Sequence, residues 1–160
     1  MAVGFILPFV SFQSGTDEDG NDWQITRGGN AFVDLARENA RNSFSYFVDA
    51  LERQEARTDE FSIEVELRSP SGRATAVWLD NISISPNEMT GTLTATPPNG
   101  LRGGLAKGDL TSFTRFQVLD WRYPEDGRWR GNFVLRVSLA NYPVEERARI
   151  VEYLHESPIP

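Results

Sequence analysis

Phe61-Ser62-Ile63-Glu64-Val65-Glu66-Leu67 decides the fold. Apolar and polar residues alternate there with a period of two, the pattern of a strand with one face buried and one face wet. Ser69-Pro70-Ser71-Gly72 follows, a turn in which Pro presets one backbone angle and Gly permits a positive one. Arg73 to Asp80 returns as a second strand with Ala74, Ala76 and Trp78 on one face. Asp80-Asn81 bends that strand, Ile82 to Ser85 continues it, and Pro86-Asn87 turns the chain into Met89–Thr96. Thr90, Thr92, Thr94 and Thr96 share one side of this third strand, and Met89, Gly91, Leu93 and Ala95 the other.

Upstream the period is helical. Asn30 is a fair N-cap, and Phe32, Ala36, Ala40, Phe44, Phe47 and Leu51 step by three or four. The spacing predicts one long helix to about Gln54, with Asp34, Arg37, Glu38, Arg41 and Glu52 on its wet face. Further upstream, Gly4–Gln13 and Trp23–Thr26 read as strands around the polar turn Gly15 to Asp22. Downstream, Pro97 to Gly108 is a glycine-rich connection to strands at Leu110–Phe116 and Val118–Tyr123. Pro124-Glu125-Asp126-Gly127 is a hairpin turn. Trp129, Gly131, Phe133, Leu135, Val137 and Leu139 alternate and predict the longest strand of the chain. Pro143 then opens a short helix with an apolar stripe of Val144, Ala148, Val151 and Leu154. Strands cluster between two helical segments without a βαβ alternation. The expected fold is α+β: a long N-terminal helix packed on a curved antiparallel sheet or small open barrel, with a short C-terminal helix. One domain spans 1–160, with an N-terminal strand and hairpin extension over 1–29, a core over 30–140 and the C-terminal helix over 141–160.

Length and composition fit that reading. A 160-residue chain buries roughly 70% of its unfolded surface, enough for a core without staples. The absence of cysteine excludes disulfides, thiolate metal sites and cysteine nucleophiles. Met1 to Phe12 is apolar but has no Lys or Arg, and Pro8 interrupts it, so it does not read as a secretory signal. No apolar run approaches the ~20 residues of a membrane span. The expected compartment is the cytoplasm. Residues 1–80 carry 14 acids and 7 bases, whereas residues 81–160 carry 9 of each, so the whole net charge of −7 sits in the first half. Its densest run is Asp17, Glu18, Asp19 and Asp22. Such a surface attracts basic partners and repels nucleic-acid backbones; a solvated face that only aids solubility has the same composition. Fifteen of the sixteen basic residues are arginine, a ratio that codon bias explains without chemistry.

The catalytic repertoire is thin. A Ser–His–acid arrangement needs an imidazole, and the single histidine, His155, falls at the end of the terminal helix. There a solvent-facing ring suits the helix dipole. Asp80, Asp109 and Asp120 lie at strand ends, where a carboxylate more often caps a turn than shuttles a proton. An enzyme using paired carboxylates would require two acids converging in a cleft. Asp17, Asp19 and Asn21 match the start of a calcium loop, but the sixth position is Asp22 and the twelfth is Gly28, which breaks the match. Gly103 to Gly108 has the first spacing of a phosphate loop, yet Asp109 stands where a hydroxyl should bind magnesium. No metal and no cofactor is expected.

At Trp78 the chain resembles a bacterial family, the YegJ-like domain of unknown function 2314. Ala40-Arg41 with Phe44 through Leu51 resembles its leading helix, and Trp78-Leu79-Asp80 with Met89-Thr90-Gly91-Thr92-Leu93 its central strands. Gly104-Leu105-Ala106-Lys107-Gly108-Asp109, Val118-Leu119-Asp120-Trp121-Arg122-Tyr123 and Gly131-Asn132-Phe133-Val134-Leu135-Arg136 complete the similarity, over about residues 31–139. Members carry an acidic residue and a histidine shortly before the tryptophan, where this chain has Thr75-Ala76. Chemistry that needs that histidine is therefore not expected here. The family implies a fold and no established activity.

Two functions remain. The first is a non-catalytic binding protein of the immunity or inhibitor type. It would meet a basic protein partner, such as a toxin, with the acidic half around Asp17, Asp19 and Asp22. The second is a small-ligand or single-stranded nucleic-acid site centred on Trp121, Tyr123 and Arg136. In that reading Arg128, Arg130 and Arg136 share a face opposite Trp129, Phe133 and Leu135. A core role for Trp78 and Trp121 competes with it, and the acidic chain makes nucleic acid the less expected ligand. The expected state is a monomer or homodimer.

Overall fold

The computed structural model describes the backbone of residues 11–16, 22–27, 31–53 and 57–160. Its architecture is the expected α+β. Six antiparallel strands form one open sheet in the order β6-β5-β4-β3-β7-β8, and helices cover one of its faces. The strands are β3 (Ser62–Arg68), β4 (Ala74–Ile84), β5 (Met89–Leu93), β6 (Leu110–Phe113), β7 (Val118–Glu125) and β8 (Arg128–Gly131). The N-terminal hairpin is a separate two-stranded sheet, β1 (Ser11–Thr16) with β2 (Asp22–Arg27). The helices are α1 (Ala31–Asn42), α2 (Phe44–Glu52), α3 (Phe133–Ser138) and α4 (Val144–Glu152).

Alternation sorts the central strands. Ile63 and Val65 of β3, Leu79 of β4, and Val118, Trp121 and Tyr123 of β7 are all fully buried toward α1 and α2. Trp121 is the anchor. Its ring lies 5.9 Å from Phe47, 6.0 Å from Tyr123 and 5.3 Å from Phe133, and its indole N–H donates to the Ala40 carbonyl at 2.9 Å. A buried tryptophan whose N–H finds an acceptor contributes area without an orphaned donor. Gly91 lies under the β4 bend, where any Cβ would come within 2.9 Å of Leu79 Cβ. The register shift between Asp80 and Ser83, with Asn81 at φ 47°, is the bend expected at Asp80-Asn81.

The strands expected over Leu110–Phe116 and Met89–Thr96 end earlier, at Phe113 and Leu93, and three larger expectations change. The long N-terminal helix is two helices, broken at Ser43, whose Oγ donates to the Asn39 carbonyl at 2.6 Å. Its buried side holds Val33, Ala36, Ala40, Phe44, Phe47 and Ala50, while Phe32 is 49% exposed. The strand expected over Trp129–Leu139 ends at Gly131. Gly131 (φ 74°) and Asn132 (φ 54°) both take left-handed angles, and the chain turns into α3. A side chain at Gly131 would run into the Trp121 carbonyl. Finally, the stripe of the C-terminal helix is mostly uncovered: Val144 and Val151 are 75% and 49% exposed and only Leu154 is buried. Among the described residues no helix is long and apolar enough to cross a membrane.

Candidate functional site

The face of the sheet away from α1 and α2 carries the other half of each alternation: Ser62, Glu64 and Glu66 of β3, Trp78 and Asp80 of β4, Thr90 and Thr92 of β5, Asp120 and Arg122 of β7, and Trp129 of β8. Register decides what meets there. Glu64 stands opposite Trp78 on one side and opposite Asp120 on the other, and Ser62 stands opposite Arg122. The Arg122 guanidinium lies 4.5 Å from the Trp78 ring centre and 5.3 Å from that of Trp129, a cation between two aromatic faces. Trp78, Arg122 and Trp129 are each half-buried. Arg122 Nε has no hydrogen-bond partner among the described residues, and burial lowers the pKa of the guanidinium.

Beneath this ladder lie two acids. Asp120 is 1% exposed, and its oxygens accept three backbone N–H groups: Trp121 at 2.8 Å, Phe133 at 3.0 Å and Val134 at 2.9 Å. It thereby caps α3, a helix whose start the sequence reading placed inside a strand. Burial pushes its carboxyl up to about 6 against the pull of those donors. Glu64 is 8% exposed and is pushed up to about 7, first by burial and then by the Asp120 charge, with Arg37 and Arg122 opposing. Burial thus favours the protonated form of both carboxyls, and the Asp120 charge adds to the effect at Glu64. Two carboxyls do converge, and both oxygens of Asp120 accept backbone donors. Partial burial, and after it Asp59, raises Asp80 on the rim of the same face.

The residues singled out from sequence are placed elsewhere. Asp17 and Asp19 lie outside the described residues. Asp22 opens β2, with its side chain outside them. Trp121 and Tyr123 are fully buried on the helix-covered face, so neither ring offers a stacking surface. Arg136 does not share a face with Arg128 and Arg130. From α3 it donates to three carbonyls: Gly131 at 2.7 Å, His155 at 2.7 Å and Trp129 at 3.2 Å. His155 is not on a solvent-facing helix end. It lies beyond α4, its side chain 17% exposed, with Nε2 2.7 Å from the Glu125 carbonyl oxygen. Asp109 accepts from the Ala106 N–H at 2.9 Å and closes a turn. The group that sequence reasoning missed is Glu64, Trp78, Arg122 and Trp129. Trp78, Glu64 and Arg122 are each legible as one side of an alternation, but their meeting depends on strand order.

The fold and this face define a class: a helix-backed antiparallel sheet whose other side carries a half-buried tryptophan–arginine ladder beside buried acids. The chain belongs to the family described as an uncharacterized protein conserved in bacteria (DUF2314), which matches residues 30–154. The match extends past the similarity read from sequence and takes in α4. No curated protein and no solved structure gives a significant match.

Proposed function

We propose that this chain is a non-catalytic cytoplasmic binding protein of the immunity or inhibitor type, and that the sheet face carrying Trp78, Arg122 and Trp129 meets a basic surface on a protein partner such as a toxin. The observation that carries the reading is the half-buried Trp78–Arg122–Trp129 ladder. Tryptophan and arginine are the residue types that dominate binding energy at protein interfaces, and they do so when ringed by polar groups. Acids flank the ladder: Glu66, ion-paired with Arg68 at 3.1 Å, and Asp80, with Asp59 close enough to raise it. An acidic rim speeds encounter with a basic partner and disfavours a polyphosphate. The test is protection. Co-expression with a toxin encoded beside this chain should relieve toxicity. Trp78→Ala should weaken the purified complex by about 2 kcal/mol or more without unfolding the chain. Protection that survives Trp78→Ala and Trp129→Ala together would contradict the reading.

A second reading keeps the ladder and changes the ligand. Arg122 Nε, without a partner among the described residues, favours a small anion near the two rings, at Trp78 and Trp129 rather than Trp121 and Tyr123. Tryptophan quenching by a phosphorylated metabolite, falling steeply with salt, would support it over the first.

A further inference from the structure

The outer edge of β8 is occupied by the chain's own last residues. Trp129 N–H donates to the Tyr153 carbonyl at 2.7 Å, His155 N–H to the Trp129 carbonyl at 3.1 Å, and Gly131 N–H to the Pro158 carbonyl at 2.7 Å. Trp129 and Leu154 form a parallel bridge. Two arginines receive three more carbonyls: Arg136 donates to His155 at 2.7 Å, and Arg130 to Ser157 at 3.0 Å and Ile159 at 3.1 Å. Arg130 is itself held by Glu125, its Nε donating at 2.7 Å. Only two apolar side chains of the segment are gripped: Leu154 is buried, and Ile159 packs against the core.

This edge reads backbone. An unpaired strand edge invites an added strand, and a natural protein covers it or uses it. The helix before the segment has no buried residue, so the segment is held by these contacts together with the His155 ring, whose Nε2 lies 2.7 Å from the Glu125 carbonyl oxygen. The walls of the slot (Glu125, Trp129, Arg130, Gly131 and Arg136) lie inside the family-matched stretch 30–154, whereas the segment from His155 onward lies beyond it. We infer that the β8 edge is a strand-accepting slot for an extended peptide segment of a protein partner, and that residues 153–160 are its resident occupant. The entering segment runs parallel to β8, puts an apolar side chain where Leu154 sits and another where Ile159 sits, and offers its carbonyls to Arg136 and Arg130. Trp129 bonds the segment through both its N–H and its carbonyl, so exchange at the edge also reaches one wall of the ladder. The inference rests on the reading of the chain as a binding protein, but not on the Trp78 face.

The probe is a synthetic peptide of residues 153–160, Tyr-Leu-His-Glu-Ser-Pro-Ile-Pro, titrated against the full chain and against full-length Leu154→Asp. In the unmodified chain the tethered segment competes at an effective concentration of about millimolar, so releasing it should tighten peptide binding at least about tenfold. A peptide with Asp in place of its leucine should not bind. Equal binding to both chains, or none to a folded Leu154→Asp chain, overturns the inference. Should that variant fail to fold, amide exchange in the unmodified chain decides. Trp129 and Gly131 must exchange by local opening, at least about a hundredfold faster than Ile63 and Val65; exchange of all four only on global unfolding overturns the inference. Loss of protection by Trp78→Ala with peptide binding intact separates failure of the slot from failure of the ladder.

Discussion

The two faces of the central sheet are made by the same three strands from alternate residues, and they obey different rules. On the covered face Ile63, Val65, Leu79, Trp121 and Tyr123 are wholly buried, and the last two meet Phe47 of α2. On the other face Glu64, Trp78, Asp120 and Arg122 combine charges with rings, and only the two acids are buried. The comparison teaches that burial alone does not mark a core in this protein. One face uses it to remove apolar area from water, which stabilises. The other uses it to hold carboxyl groups away from water, which costs stability and favours their protonated form.

The sharpest way to break the comparison is to remove a tryptophan from each face. Trp121→Ala should lower unfolding free energy by about 4 kcal/mol, through cavity formation and the orphaned Ala40 carbonyl. Trp78→Ala should cost about 1 kcal/mol, because the ring is half wet and its contact is with a guanidinium. Denaturant melts of the two variants compare them directly; equal losses would erase the distinction between the faces.

The next effect is pH dependence. Glu64 ionises at about 7 in the folded chain against 4.5 ordinarily. Below 4.5 both folded and unfolded states hold the proton and the difference vanishes. Between 4.5 and about 7 the folded state holds a proton that the unfolded state has lost, so stability falls as pH rises, by on the order of 3 kcal/mol in all. Asp120, raised from 3.8 to about 6, contributes in the same direction over a lower window. Glu64→Gln should flatten the upper part of this decline and make the chain more stable at pH 8. Melting temperatures across pH 4.5 to 8 read the slope directly, and a Glu64→Gln chain with an unchanged slope would assign the proton elsewhere.

A smaller effect separates the two acids. Asp120→Asn keeps an acceptor for α3 but loses the charge, and should cost about 2 kcal/mol. It should also bring the Glu64 pKa down, which carboxyl NMR titration would detect. The smallest effect is expected on α4. Val144→Ser and Val151→Ser together should change stability by less than about 0.5 kcal/mol, because both side chains already face water.

Much of the covered face was legible in sequence. The alternation from Phe61 to Leu67 and the three-and-four steps from Ala36 to Phe47 each depend on local periodicity, which a single chain displays. The break at Ser43 was not legible, because a helical stripe continues across it. The end of β8 was not legible either. Trp129 to Leu139 alternates as well as any strand, and what turns it into α3 is a left-handed pair, Gly131-Asn132, capped by Asp120 from another strand. The ladder and its buried acids stayed hidden for the same reason. Glu64, Trp78, Asp120 and Arg122 become neighbours only when β3 is placed between β4 and β7. The two aromatics chosen as a binding surface, Trp121 and Tyr123, sit on the strand of Arg122 but point the opposite way, a matter of one residue in phase.

The measurement closest to the central claim is affinity capture with the full chain from cells of the bacterium that encodes it, run beside folded Trp78→Ala and Trp129→Ala chains. The account predicts a basic protein retained by the unaltered chain, released by moderate salt, and lost from both variants while their melting temperatures stay near that of the parent. Retention of the same protein by both variants would place its binding somewhere other than the Trp78–Arg122–Trp129 face and contradict the account.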